Sequence, residues 1–165
     1  DPAAVFKVAR ADMPVFTQDG ARVKVAAGRF AGLNSPINAD ARWATPVDLL
    51  DITLDAGAVI DMPLANEKNA FLIVIAGSLT SGEDAAQAQQ AVVYAPAVSG
   101  DAGQSALSLV AGPEGARAVL LAGVPLREPI VPHGPFVGNS RQDIVGYAQA
   151  FQSGAMGTLE ASFSR

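Results

Sequence analysis

Arg22 to Ala27 alternates, with Val23, Val25 and Ala27 on one side and Arg22, Lys24 and Ala26 on the other, so this segment predicts a half-buried strand. Leu50, Ile52 and Leu54 alternate with Asp51, Thr53 and Asp55 in the same way. Phe71 to Ile75 and Ala118 to Ala122 are unbroken apolar runs flanked by glycine, short enough for strands buried on both faces. With Val92 to Tyr94 and Leu107 to Val110 they complete a set of about seven strands. Turns are expected at Asp55-Ala56-Gly57, Ala76-Gly77, Ser81-Gly82, Ser99-Gly100 and Gly112-Pro113. Many short strands with glycine and proline turns predict an antiparallel sandwich or barrel, and period alone does not choose between them. Glu83 to Ala91, rich in alanine and glutamine, suits either one helical turn or a polar hairpin tip.

Near the C-terminus the period changes. Ser140 is placed to cap a helix, with Asp143 three residues on to complete a capping box and to suit the positive end of the helix dipole. Ile144, Tyr147, Ala148 and Phe151 follow at helical spacing and Gly154 is a suitable stop, so a helix is expected over 140–153. Its apolar stripe packs on the domain's own barrel or docks on a neighbouring domain. Upstream, Pro125, Pro129, Pro132 and Pro135 each fix φ and withhold an N–H. They predict a rigid, largely extended crossing over 125–136 with few ladder bonds, which brings Phe136 to Ile144, Tyr147 and Phe151 as one apolar cluster.

A chain of 165 residues fits one domain, 1–165, in which roughly 70% of the unfolded surface can be buried. The first twenty or so residues are expected to be a linker or a lead-in strand. With no cysteine the chain has no disulfide or thiolate metal site, which fits a reducing, cytoplasmic setting. Acidic and basic side chains, 16 and 11, are scattered, for a formal charge of -5. Nucleic acid binding needs clustered Lys and Arg, and no cluster exists. No apolar run reaches the ~18 residues that span a bilayer. The chain begins with Asp1 and not methionine, so a missing upstream half is expected.

Chemistry-bearing residues are few. A stable iron, zinc or copper site needs three or four converging ligands, and the single histidine, His133, lies between Pro132 and Gly134. It is expected to bond to backbone and fix its loop, or to reach a partner domain. No GxSxG elbow exists to make a serine nucleophile with that histidine. Asp48, Asp51 and Asp55 lie in or beside one strand, with Asp51 and Asp55 expected on its solvent face. Gly28 to Pro36 follows no phosphate-binding spacing, and Trp43 is expected to be a buried core plug. No catalytic, cofactor-binding or metal-binding residue is assigned.

Pro125 to Asn139, reading PLREPIVPHGPFVGN, is similar to the C-terminal signature of the pirin family. Met13-Pro14, Gly20 to Val25, Gly28, Gly32, Leu49 to Gly57, Ile75 to Thr80 and Ala116 to Arg127 fall, in order, where similar segments sit in that family, so the resemblance runs from about Phe6 to Phe151. Gly138, where a larger apolar residue is usual, Pro132 and the Glu83 to Ala91 insert depart from the pattern. Pirins resemble two cupin barrels in one chain, with a metal held by histidines and a glutamate in the N-terminal barrel. The resemblance therefore implies an all-β fold, an antiparallel jelly-roll (cupin) barrel with a short C-terminal α-helix, corresponding to the second barrel alone.

Laid from Gly57 to Gly77, the cupin metal motif puts its ligand positions on Pro63, Ala65 and Ala70, none of which binds a metal. What the resemblance implies is a metal-free, non-catalytic C-terminal cupin, a scaffold or interaction half for an N-terminal cupin carrying iron or another divalent metal. The alternatives are a part in a quercetin 2,3-dioxygenase-type oxygenase whose metal lies in the missing half, or a barrel holding a small apolar ligand in an opening left by those small side chains. Partners are expected to be an N-terminal cupin domain or a second protomer, through His133, Phe136, Ser140, Ile144, Tyr147 and Phe151.

Overall fold

In the computed structural model, which describes residues 5–43, 46–94 and 103–157, the alternating segments form strands as their period requires. Val23, Val25 and Ala27 are buried while Arg22 is exposed, and Leu50, Ile52 and Leu54 are buried while Thr53 is exposed. The chain divides into two compact units, Asp1–Pro125 and Leu126–Arg165. The first holds β1 (Val15–Gln18), β2 (Ala21–Ala27), β3 (Arg29–Phe30), β4 (Leu33–Asn34), β5 (Val47–Leu54), β6 (Val59–Ala65), β7 (Asn69–Ser81), β8 (Asp84–Gln87), β9 (Ala91–Tyr94) and β10 (Gln104–Gly123). The second holds β11 (Val131–His133), β12 (Phe136–Gly138) and α1 (Arg141–Gln152).

An antiparallel ladder runs β1-β2-β5-β10-β7-β8, with β6 added to β10 and β9 to β7. Two long strands fold it over one core. Residues 116–123 of β10 pair with β5 and the start of β7, whereas residues 104–110 pair with β6. Register shifts between Ala111 and Ala116 and between Arg117 and Ala118 mark the bend. Gly112-Pro113 and Ala76-Gly77, expected as turns between strands, are thus irregular points inside β10 and β7. The same residues that end a strand also let one kink and pass from one layer to the next. At Gly77 this demand is explicit: φ is +69°, and an added Cβ would stand 2.0 Å from the Gly115 carbonyl oxygen.

The turns at Ala56-Gly57 and after Ser81 form as expected, and Ser99-Gly100 lies outside the described residues. Glu83 to Ala91 is not a helical turn: β7 turns back through Gly82-Glu83 into β8, and β8 and β9 follow one another along β7, interrupted where Gln89 takes φ +71°. β6 was not anticipated. Its Ile60, Met62 and Leu64 are buried and Val59, Asp61 and Pro63 exposed, a clean alternation interrupted by a proline. Its one ladder partner among the described residues is β10, and an edge of this kind tolerates proline.

The core joins Val23, Val25, Ile52, Leu72 and Val74 to Met62, Leu79 and Leu109 in a single cluster. This is the antiparallel jelly roll of the cupins, mostly β with one short α-helix among the described residues, and its sheet is not closed into the expected barrel. No helix among the described residues is long and apolar enough to cross a membrane.

In the second unit, residues 126–130 carry no ladder, but the crossing is not extended throughout, because Arg127 takes a left-handed φ of +56°. From Val131 the expectation fails, because β11 and β12 pair as a hairpin with His133 opposite Phe136. The two residues between them, Gly134 and Pro135, make the turn, Gly134 supplying a φ of +55°. Ser140 caps α1 as predicted: its hydroxyl accepts from the Asp143 N–H, and the Asp143 carboxylate accepts from the Ser140 N–H at 2.8 Å.

Candidate functional site

A cupin metal centre is built from nitrogen and carboxylate donors that converge inside the barrel. The strand parity shows which positions do so here. Pro63, assigned to that site by spacing, is exposed, and Ala65 shares its side of β6 and is half-buried, while Ala70 is buried. The inward positions of β6 are therefore Ile60, Met62 and Leu64, one residue out of step with the spacing, because a strand shifted by one residue presents its other face. With Ala70, Leu72 and Leu109 they offer hydrocarbon and one thioether. Such a set does not fit iron, zinc or another divalent metal. No group of three or more His, Asp or Glu converges among the described residues. Pro63, on the other face, borders a hollow of about 250 Å³ with Phe16, Phe30 and Val59.

Charged side chains gather on the opposite face. Asp51 of β5 lies across from Lys24 of β2, 3.4 Å away, and 3.3 Å from the Arg117 guanidinium on β10. On the other side of β5, in line with the inward Leu50 and Ile52, Asp48 pairs with Lys68 and accepts from the Arg29 N–H at 3.1 Å. Burial pushes the Asp51 carboxyl up, but the hydrogen bond and charge of Arg117 and the charge of Lys24 outweigh it and hold its pKa below the ordinary carboxylate value. A carboxyl depressed in the folded state stabilises the fold above its unfolded pKa, near 4, and loses that contribution as pH falls. Asp51→Asn is accordingly expected to lose about 1 kcal/mol at neutral pH, for part-exposed pairs, and to flatten the fall in stability as pH drops below about 4. Urea unfolding across pH is the measurement; an unchanged acid limb would show that the pairs are idle.

Gly28 to Pro36 is braced rather than open. The Gly28 N–H donates to Asn38 Oδ1 at 3.1 Å, Asn38 Nδ2 donates back to the Gly28 carbonyl at 2.8 Å, and the Ser35 hydroxyl donates to the Ala26 carbonyl at 2.7 Å. The N–H groups that a phosphate would need at Gly28 and Arg29 are taken. Trp43 is not the core plug expected of it. It is half-buried, edge-on to Phe6 with ring centroids 5.1 Å apart, and its Nε1 is buried without a hydrogen-bond partner among the described residues. Nearby, the half-buried Asp40 is held at about 2 by side-chain and backbone hydrogen bonds from Arg42.

In the second unit Phe136 meets Tyr147 and Phe151 with ring centroids 6.4 and 6.1 Å away, and Ile144 is buried. The four residues expected to cluster share this unit. Gly138 makes the contact close: an added Cβ would stand 2.9 Å from Asp143 Cβ and 3.3 Å from the Tyr147 ring, so the glycine that departs from the pirin pattern lets β12 lie against α1. Phe151 remains 68% exposed. His133 does not fix a loop by bonding to backbone. It is exposed at the end of β11, and its imidazole makes no hydrogen bond among the described residues, since the hairpin ladder already orders the segment.

A further surface was legible only in part. Phe71, Ile75 and Val93 are 40%, 48% and 78% exposed on the outer face of the β5-β10-β7-β9 layer. The unbroken run at Phe71 to Ile75 signalled apolar surroundings on both faces, but one of those faces is open.

Residues 49–157 match the family profile described as the Pirin C-terminal cupin domain. Pirin from Mus musculus is 36% identical over 133 residues, covering 81% of this chain and 44% of that protein. Pirin-like protein 2 from Arabidopsis thaliana is 32% identical over 165 residues, covering 96% of this chain and 49% of its own length. The chain thus spans about half the length of the curated relatives it matches. Among solved structures, a quercetin 2,3-dioxygenase from Acinetobacter baumannii superimposes with a TM-score of 0.77 at 22% identity, over 93% of this chain and 50% of that one, a likeness of fold.

Proposed function

We propose, since this chain belongs to the pirin family and carries its C-terminal cupin domain, that it is a metal-free, non-catalytic half that supports and positions a metal-bearing cupin half. The observation that carries this reading is the donor-free set of inward side chains, Ile60, Met62, Leu64, Ala70 and Leu109, where a catalytic cupin needs histidines and a carboxylate. Relatives about twice as long leave room for a second barrel of equal size. In such a protein any quercetin 2,3-dioxygenase-type chemistry, with iron or another divalent metal, belongs to the other half. This barrel forms the wall against it. The aromatic face of Phe136, Tyr147 and Phe151 is a second contact element of the same proposal, and a cytoplasmic location goes with the cysteine-free composition.

The purified, dialysed chain is expected to carry no stoichiometric iron, nickel, copper or zinc by elemental analysis. With iron or nickel added back it should consume neither quercetin nor oxygen above a metal-only control. Turnover above that control, or a one-to-one metal that persists in His133→Ala, would overturn the reading.

A further inference from the structure

Within the first unit, the hollow of about 250 Å³ that Pro63 borders is walled by Phe16 of β1, Phe30 of β3, and Val59 and Ile60 of β6. Phe30 and Ile60 are buried, Phe16 is half-buried, and Val59 and Pro63 are exposed at its margin. Phe16 meets Phe30 edge-on with ring centroids 5.3 Å apart, an arrangement that a third ring can extend. Two polar side chains complete the lining, Asp61 and Gln18. Asp40, Asp48 and Asp51 each have a cation partner, but Asp61 has none among the described residues, and no Lys, Arg or His lines the hollow. The Gln18 amide nitrogen donates to Asp19 at 3.3 Å, so what Gln18 has left to offer is its carbonyl oxygen. Both polar side chains therefore present acceptors, and one of them is charged.

We propose that this hollow binds a small primary ammonium compound carrying one aromatic ring, with the ring against Phe16, Phe30 and Pro63 and the ammonium on Asp61 and Gln18. Charge decides the class. An anion would meet Asp61 with no cation to offset it, and a neutral ring would take water from the carboxylate without replacing its hydrogen bonds. An ammonium supplies both the opposite charge and the donors, and gains further from the neighbouring aromatic rings. Size decides the rest: the hollow is smaller than the roughly 300–1,000 Å³ of a drug-sized site, which leaves room for one ring and a short chain. The site makes no use of the two-cupin reading and stands or falls without it.

The test is calorimetry and saturation-transfer NMR on the full chain with phenethylamine, phenethyl alcohol and phenylpropionate. The amine is expected to bind one-to-one with a Kd on the order of 0.1–1 mM, at least about tenfold tighter than the alcohol, and the carboxylate not to bind. Asp61→Asn should weaken the amine at least about tenfold and leave the alcohol unchanged, whereas Glu83→Gln, an equal loss of charge on the turn before β8, should change neither. Val59→Phe, which fills the hollow from an exposed position, should weaken both. Thermal melts separate lost binding from lost folding, and should Val59→Phe fail to fold, Asp61→Asn decides alone. An amine that binds no tighter than the alcohol, or whose binding survives Asp61→Asn, would overturn the site. A dimer in sizing chromatography that Val59→Phe breaks would make a second copy the occupant, and the inference would be wrong.

Discussion

Gly77→Ala is expected to destabilise the fold by about 2–5 kcal/mol, the sum of about 1–2 kcal/mol for a left-handed non-glycine residue and about 1–3 kcal/mol for forced overpacking. The atom in the way belongs to backbone, the Gly115 carbonyl oxygen at 2.0 Å, so no rotamer change relieves the contact. Gly115 itself has a positive φ, and an added Cβ there would stand 2.6 Å from the Leu54 carbonyl oxygen. The two long strands therefore pass at a point where neither has room for a side chain. Gly82 is the control, since its φ of +61° is similar but nothing lies within 4 Å of an added Cβ. Gly82→Ala should cost only about 1–2 kcal/mol. Urea midpoints for the two variants separate conformational strain from steric crowding; equal losses would mean that the close approach at Gly77 carries no weight.

Leu72→Ala is expected to cost about 2–5 kcal/mol through lost transfer energy and an unfilled cavity. Leu72 is 0% exposed, opposite Leu120 on one side and Val92 on the other. Its neighbour Phe71 points to the opposite face, so Phe71→Ala in the chain alone should cost much less despite removing a larger side chain. At about 2–4 °C per kcal/mol for a domain of this size, the melting temperatures of the two variants should differ by several degrees or more. Similar losses would show that the outer face is as tightly packed as the core.

What the sequence by itself determined was everything local in its physics. Val23 and Val25 opposite Lys24, and Leu50 and Ile52 opposite Asp51, carry a period of two that only a half-buried strand satisfies. Ser140 and Asp143 satisfy each other's backbone three residues apart, so the start of α1 is written in one short segment. A series of short family-like segments in order, from Gly20 to Asn139, was enough to reach the cupin jelly roll before any coordinates.

Tertiary structure decided what depends on distant partners. Gly112-Pro113 and Gly77 read as strand ends, because a glycine or proline signals a break in direction without saying whether the ladder resumes beyond it. β6 was hidden by Pro63, which is tolerated because of where the strand sits in the sheet. Motif spacing counted residues to Pro63 and Ala65, but the face each presents is set by pairing register with β10, and one residue of slip exchanges inside for outside. His133 joins a hairpin because Phe136 lies opposite it. Phe71 and Leu72 are equally apolar as letters; only the stacking of β5, β10, β7 and β9 into a layer with one covered side makes one of them core and leaves the other as open surface.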